Sequence, residues 1–228
     1  MNSSSARRMG SVRQALSWRG PVIVTLLAVR EIMRPLLYWH VWHIFETDIS
    51  HQIPQPYGKE EAEVKFYTAD EGLEALCQQI SAMGELEPTE VSRRFAKGWL
   101  IAVAFLKAQP VGYMWLVLSG GMELAFDTYW IIRSGEALRY GSFVLPAFRG
   151  KGIHSILNHA VACYLREHNF HVTLASVSVL NPQSMSLARH NKRAIAMTVF
   201  IARIRGVNWT IRKSFGAPLQ SRFSWRTE

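Results

Sequence analysis

Arg149, Gly150, Lys151 and Gly152 form a short basic, glycine-rich stretch between two segments of different periodicity. Before it, Leu138–Leu145 reads as a strand that ends at Pro146. After it, Ile153, Ile156, Leu157, Ala160, Val161 and Tyr164 recur at the spacing of one helix face. A strand–loop–helix order brings backbone N–H groups and a helix N-terminus to one point, which is how proteins hold a pyrophosphate. Glycines at 150 and 152 permit a left-handed backbone and close approach of phosphate oxygens, while Arg149 and Lys151 add positive charge. A lone glycine-rich loop is an ordinary turn in most chains. The strand before this one and the helix after it set it apart.

Val144-Leu145-Pro146 followed by Arg149-Gly150-Lys151-Gly152-Ile153 resembles motif A of the GNAT superfamily, the acyl-CoA-dependent N-acyltransferases. Downstream, Asn181-Pro182-Gln183-Ser184 is similar to the family's N-x-x-S/A element after a strand at 172–180. Upstream, Trp99–Lys107 and Val111–Leu118, separated by Ala108-Gln109-Pro110, are similar to its second and third strands. The likeness spans about residues 95–192. It implies an α+β fold, a GNAT-like mixed, mostly antiparallel sheet flanked by helices, with a central strand–loop–helix cofactor-binding unit. The implied donor is acetyl-CoA or another acyl-CoA, with no metal, and the implied activity is N-acyl transfer, most simply N-acetyl transfer, to an amine.

By the same resemblance, the main chain of Phe143 and Val144 bonds the pantetheine arm and polarises the thioester carbonyl. The amides of Gly150, Lys151, Gly152 and Ile153 hold the pyrophosphate, with Arg149 adding charge. Asn181 faces the pantetheine and Ser184 lies beside it. Each residue also has a plainer reading. Phe143 and Val144 are good strand formers, Asn181 before Pro182 is a good helix N-cap, and Ser184 is then a first-turn residue.

The sequence departs from the family where the acid is usually found. Seven residues after the Asn, where many members carry a tyrosine that protonates the departing thiolate, stands Ala188, and Lys192-Arg193 replace a glycine–aromatic pair. Positioning an amine against a polarised thioester still supplies much of the rate. Tyr140 is the expected substitute acid, since strand alternation would set it on one face with Ser142 and Val144. The candidate bases are Tyr140 and Ser142 on that strand and the nearby acids Glu123, Asp127 and Glu136, and Asp127, between aromatics in Phe126–Trp130, is a candidate for holding the acceptor amine. No H-E-x-x-H or paired C-x-x-C metal motif and no nucleophile elbow occur.

With 228 residues, 49% of them apolar, the chain can bury one substantial core and is expected to form one globular domain. The net charge of +9 fits a basic solvated surface or an anionic partner such as CoA phosphates, an acidic acyl carrier protein or anionic lipid. It does not come with a nucleic-acid reader motif. Cys77 and Cys163 read as small buried hydrophobes, so a reducing, cytoplasmic setting is expected. Residues 1–30 hold five arginines and no acid around the apolar run Pro21–Val29, which is too short to span a bilayer and lacks a cleavage site. A disordered basic tail over 1–17 is expected, with peripheral membrane contact through the basic N-terminus as the alternative. Besides a long-chain acyltransferase, a non-catalytic acyl-CoA-binding regulatory module is the alternative that Ala188 keeps open.

The expected organisation is a helix and strand extension over 18–66 and the acyltransferase domain over 67–228. Within it, Val22–Leu37 reads as a helix, and Tyr38–Phe45 as a strand whose His40 and His43 face opposite ways and make a poor metal pair. Helices follow Thr68-Ala-Asp-Glu71 and Pro88, then the hairpin 99–118, a strand at 123–132, and a closing antiparallel pair, Thr198–Ile204 with Val207–Lys213.

Overall fold

The computed structural model describes residues 22–23, 25–29, 32–33, 37–51, 53, 55–57, 61–69, 73–83, 86–125, 128–190, 195–204 and 207–214. The expected tail at 1–17, the capping box before the first long helix, Asp127 and Lys192-Arg193 lie wholly or partly outside them. The fold is α+β, and its sheet structure is mostly antiparallel. The chain forms two compact units, each built from separated stretches.

One unit comprises Thr47–Met122 and Trp130–Ala175. Its strands are β2 (Glu63–Tyr67), β3 (Leu100–Leu106), β4 (Gln109–Val117), β7 (Glu136–Val144) and the first half of β8 (Val172–Ser178). The order is β8-β7-β4-β3-β2, antiparallel except for the parallel pair β7–β8. Helices α1 (Leu73–Ala82), α2 (Pro88–Ala96) and α3 (Ile153–Glu167) cover this sheet. Side chains alternate across a strand, so β4 sends Leu116 and Met114 toward α3 and Trp115 toward α2. Leu100, Ala102, Ala104, Leu116, Leu157, Val161 and Leu165 form the α3 side of the core. Each fully buried Leu, Ile or Phe there contributes about 1.5–3 kcal/mol. Cys77 is buried, Cys163 partly so, and both are free thiols.

Two sequence expectations shift. The hairpin turn is Lys107-Ala108, both with positive φ (48° and 65°), while Gln109 and Pro110 already belong to β4. A two-residue loop of this handedness matches strand twist, so the turn is shorter than the Gln–Pro signal suggests. Where a single strand is expected at 123–132, the described residues form two paired strands, β5 (Gly121–Ala125) and β6 (Thr128–Ile131). Strand β2 has no counterpart in the sequence reading. Its residues Glu63 and Lys65 alternate with Val64 and Phe66, a short pattern next to a proline-rich loop.

The other unit comprises the described residues of 1–46, 123–129 and 176–228. Here β1 (Leu37–Asp48, through Glu46), β9 (Ile195–Ile204) and β10 (Val207–Ser214) form an antiparallel set in the order β10-β9-β1, accompanied by α4 (Pro182–His190). The described residues of 22–33 are helical, but strand β1 begins at Leu37, one residue earlier than expected. His40 and His43 do face apart: His40 Nε2 meets Ser178 Oγ at 3.0 Å and His43 Nδ1 meets Thr198 Oγ1 at 2.9 Å.

Candidate functional site

The glycine-rich loop is where the sequence put it. Strand β7 ends at Val144, one short helical turn covers Pro146–Phe148, and α3 starts at Ile153. Gly150 (φ 75°) and Gly152 (φ 87°) are both left-handed, which only glycine adopts without strain. Gly152 is the N-cap of α3 and no side chain caps it, so the first-turn amides of the helix are turned to the loop with the positive end of its dipole. The Gly152 carbonyl accepts from the amides of Ser155 and Ile156, which fixes the first turn.

Arg149 ties this loop to the strand. Its Nε donates to the Val144 carbonyl at 2.9 Å, and its guanidinium lies 5.6 Å from the centre of the Phe143 ring. The Lys151 ammonium sits 5.1 Å from the Phe148 ring. Phe143 is buried and Val144 half-buried. The parallel ladder of β7 runs over Glu136–Arg139 against Val172–Ala175, whereas Tyr140, Phe143 and Val144 are registered to β4 through Trp115, Tyr113 and Gly112.

Between those registered residues β7 carries an extra residue. Trp115 pairs with Tyr140 and Tyr113 with Phe143, so Gly141 and Ser142 bulge, with Gly141 at φ 56°. The bulge breaks the alternation on which the sequence argument placed Tyr140 and Ser142 together. Tyr140 faces α2, where the Arg94 guanidinium lies 5.3 Å from the ring centres of both Tyr140 and Trp115, and Trp99 meets Tyr140 edge-on. Exposed Ser142 faces the start of α3, with its Oγ 3.3 Å from His154 Nε2. The Tyr140 side chain therefore belongs to an aromatic–guanidinium stack, while the hydroxyl beside Phe143 is that of Ser142.

Behind Ser142 is a buried polar chain. Arg139 Nη1 donates to Asn158 Oδ1 at 2.7 Å, and Asn158 Nδ2 reaches His154 Nδ1 at 2.7 Å and the His154 carbonyl at 2.8 Å. Arg139 and Asn158 are 9% and 7% exposed, so these bonds are shielded from competing water. No local sequence signal marks this set. It needs the i, i+4 spacing of His154 and Asn158 on α3 and the docking of that helix against β7.

On the opposite face Arg94, 8% exposed, donates from Nε to Glu90 Oε1 at 2.8 Å, and Glu90 also pairs with Arg93 at 2.6 Å. Burial alone would raise the Glu90 pKa, but the Arg94 hydrogen bond and the charges of Arg94 and Arg93 together lower it. Of the expected bases, Glu136 is buried and its carboxylate accepts a long bond (3.4 Å) from the Arg133 amide, while Glu123 is exposed on β5. In the other unit, Asn181 Oδ1 accepts from the Ser184 amide at 3.1 Å, the N-cap of α4. Ala188 on that helix is 3% exposed. Among the described residues no group of three His, Cys, Asp or Glu could hold a metal ion, and no helix is long and apolar enough to cross a membrane.

The model of the "Acetyltransferase (GNAT) family" matches residues 60–191, more than half of the chain. No curated protein matches the sequence. Among solved structures, a tandem GNAT protein from the clavulanic acid biosynthesis pathway superposes with TM-score 0.53 at 13% identity, over 74% of this chain and 54% of its own. A GCN5-related N-acetyltransferase from Sphaerobacter thermophilus gives 0.50 at 14% identity, over 83% and 58%. A conserved protein of unknown function from Staphylococcus epidermidis gives 0.49 at 13% identity, over 76% and 65%. The chain thus spans less than two thirds of each of these, and at such identity the likeness to the first two concerns the fold alone.

Proposed function

The chain belongs to the GNAT acetyltransferase family, and we propose that it is an acyl-CoA-dependent N-acyltransferase that carries an acetyl group from acetyl-CoA to the amino group of an acceptor. The observation that carries this reading is the unit of β7, loop and α3. Two left-handed glycines turn the chain into a helix start that no side chain caps, with two cations in the loop. An anion bound there would meet backbone donors and the helix dipole together. Arg149, held on the Val144 carbonyl, would keep the pyrophosphate loop in fixed relation to the strand whose amides take the pantetheine and thioester. The acceptor amine then attacks the thioester carbonyl, and the strand donors stabilise the charge that develops on its oxygen.

Calorimetric titration with acetyl-CoA, a long-chain acyl-CoA and free CoA, followed by thiol release across a panel of amines, tests the reading. Micromolar binding of acetyl-CoA with turnover of at least one amine supports it. A preference for the long-chain donor moves the assignment to long-chain acyl transfer. CoA binding without any turnover makes the chain a non-catalytic acyl-CoA-binding module, the reading that buried Ala188 favours.

A further inference from the structure

We propose that Ser142 is the group that delivers a proton to the departing thiolate, and that Arg139, Asn158 and His154 are positioning residues that point its hydroxyl outward. The proposal rests on the acyl-transfer reading, since it places Ser142 beside the thioester held by Phe143 and Val144. The argument starts from the buried end. An arginine only donates, so Arg139 Nη1, 2.7 Å from Asn158, faces the amide oxygen and fixes which way the amide lies. The Asn158 NH2 group then faces His154 Nδ1 at 2.7 Å. An amide NH2 also only donates, so Nδ1 accepts and the ring proton sits on Nε2. That Nε2–H donates to Ser142 Oγ at 3.3 Å. With its lone pair engaged by His154, the serine turns its own hydrogen away from the helix, toward the exposed side of the bulge.

Every link therefore donates in one direction, from a buried cation to an exposed hydroxyl, and each bond polarises the next. This polarity is the reverse of a serine–histidine nucleophile pair, in which the histidine accepts from the serine. The step balances without an outside base once the amine is neutral. The amine nitrogen attacks the carbonyl carbon and the C–N bond forms. The C–S bond breaks, and its electron pair stays on sulfur. Ser142 Oγ–H passes its proton to the sulfur while Oγ takes the surplus proton from nitrogen, leaving amide and free thiol. The Gly141 bulge is what makes this geometry, because a regular strand would turn Ser142 to the face that Tyr140 occupies. Ser142 thus offers a hydroxyl donor, which the side chain of Ala188 cannot be.

The test uses the full-length protein, acetyl-CoA and an amine that the wild type acetylates. Ser142→Ala is expected to lower kcat about a hundredfold, with CoA affinity by calorimetry unchanged, and Ser142→Thr to restore most of it. His154→Ala is expected to lower kcat and to add nothing further in the Ser142→Ala background, the signature of acting through one group. Asn158→Asp probes the polarity. A carboxylate beside Nδ1 would draw the ring proton to that side and turn Nε2 into an acceptor, so the rate should fall although the fold, checked by thermal melting, is kept. An unchanged kcat in Ser142→Ala overturns the proposal while leaving acyl transfer intact. An Asn158→Asp variant as fast as wild type, or faster, overturns the direction of the chain. A wild type that binds CoA and acetylates no amine overturns both the proposal and the reading it rests on.

Discussion

Gly152→Val separates cofactor binding from folding, provided that the cost of the backbone is counted first. Gly152 sits at φ 87° and ψ 0° as the N-cap of α3. A side chain in the left-handed region costs about 1–2 kcal/mol, and a β-branched one lies at the upper end. For a chain of this size that corresponds to a fall in Tm of about 4–8 °C, so the substitution is not silent for stability. The cofactor loses more. If the first-turn amides of α3 hold the pyrophosphate, each charge-assisted bond is worth about 1.5–3 kcal/mol, and blocking two should weaken CoA binding by about a hundredfold or more. Gly120→Ala is the control. Gly120 has φ 75° and its Cβ would meet nothing within 4 Å, so it carries the strain alone. Melting curves and CoA titrations of the two variants side by side give the answer. Wild-type affinity in folded Gly152→Val would refute the loop as the pyrophosphate site. An equal loss in Gly120→Ala would show that affinity follows global stability.

Arg149→Ala should weaken CoA binding and flatten its dependence on salt, because a partly exposed ionic contact is screened; an unchanged slope in titrations from low to high salt would show that Arg149 serves the structure of the loop rather than the phosphate. Tyr140→Phe keeps the ring that stacks with Arg94 and removes a hydroxyl on the side away from Ser142, so kcat should stay within about threefold of wild type; a large fall would return the acid role to Tyr140. Glu90 has a lowered pKa, so its contribution to stability is complete above the usual value near 4.5 and is lost as pH falls through the depressed one. Urea unfolding between neutral pH and pH 3 should therefore show a steeper acid loss in the wild type than in Glu90→Gln, and parallel curves would remove the Arg93–Glu90–Arg94 cluster from the stability of α2.

What the sequence made legible was local. Pro88 at the first position of α2, Asn181 before Pro182, and the apolar stripe of Ile153–Glu167 are signals carried by neighbouring residues, and each element is found where they place it. The loop glycines belong to the same class, since their left-handed backbone is a property of the residue itself. Elements whose signals come from partners were harder to place. Strand β2 is five residues long and is defined by its pairing with β3, and the Lys107-Ala108 turn is enforced by the strands on either side rather than by turn-forming residues.

The candidate chemistry fell on the wrong side of a strand for the same reason. Tyr140 and Ser142 are two residues apart, and in a regular strand two residues apart means one face. Gly141 was the only warning, and a glycine in a strand is as often a weakness as a bulge. Whether it bulges is decided by β4: Trp115 stays opposite Tyr140 and Tyr113 opposite Phe143, so β7 must accommodate the extra residue. That registration separates the two hydroxyls. It leaves Tyr140 on a buried guanidinium and sends Ser142 to His154, where the spacing of a helix, 154 to 158, meets the spacing of a strand, 139 to 142. A chain of donors assembled from two elements of different period has no signature in either one alone, and it becomes visible only when the helix is docked on the sheet.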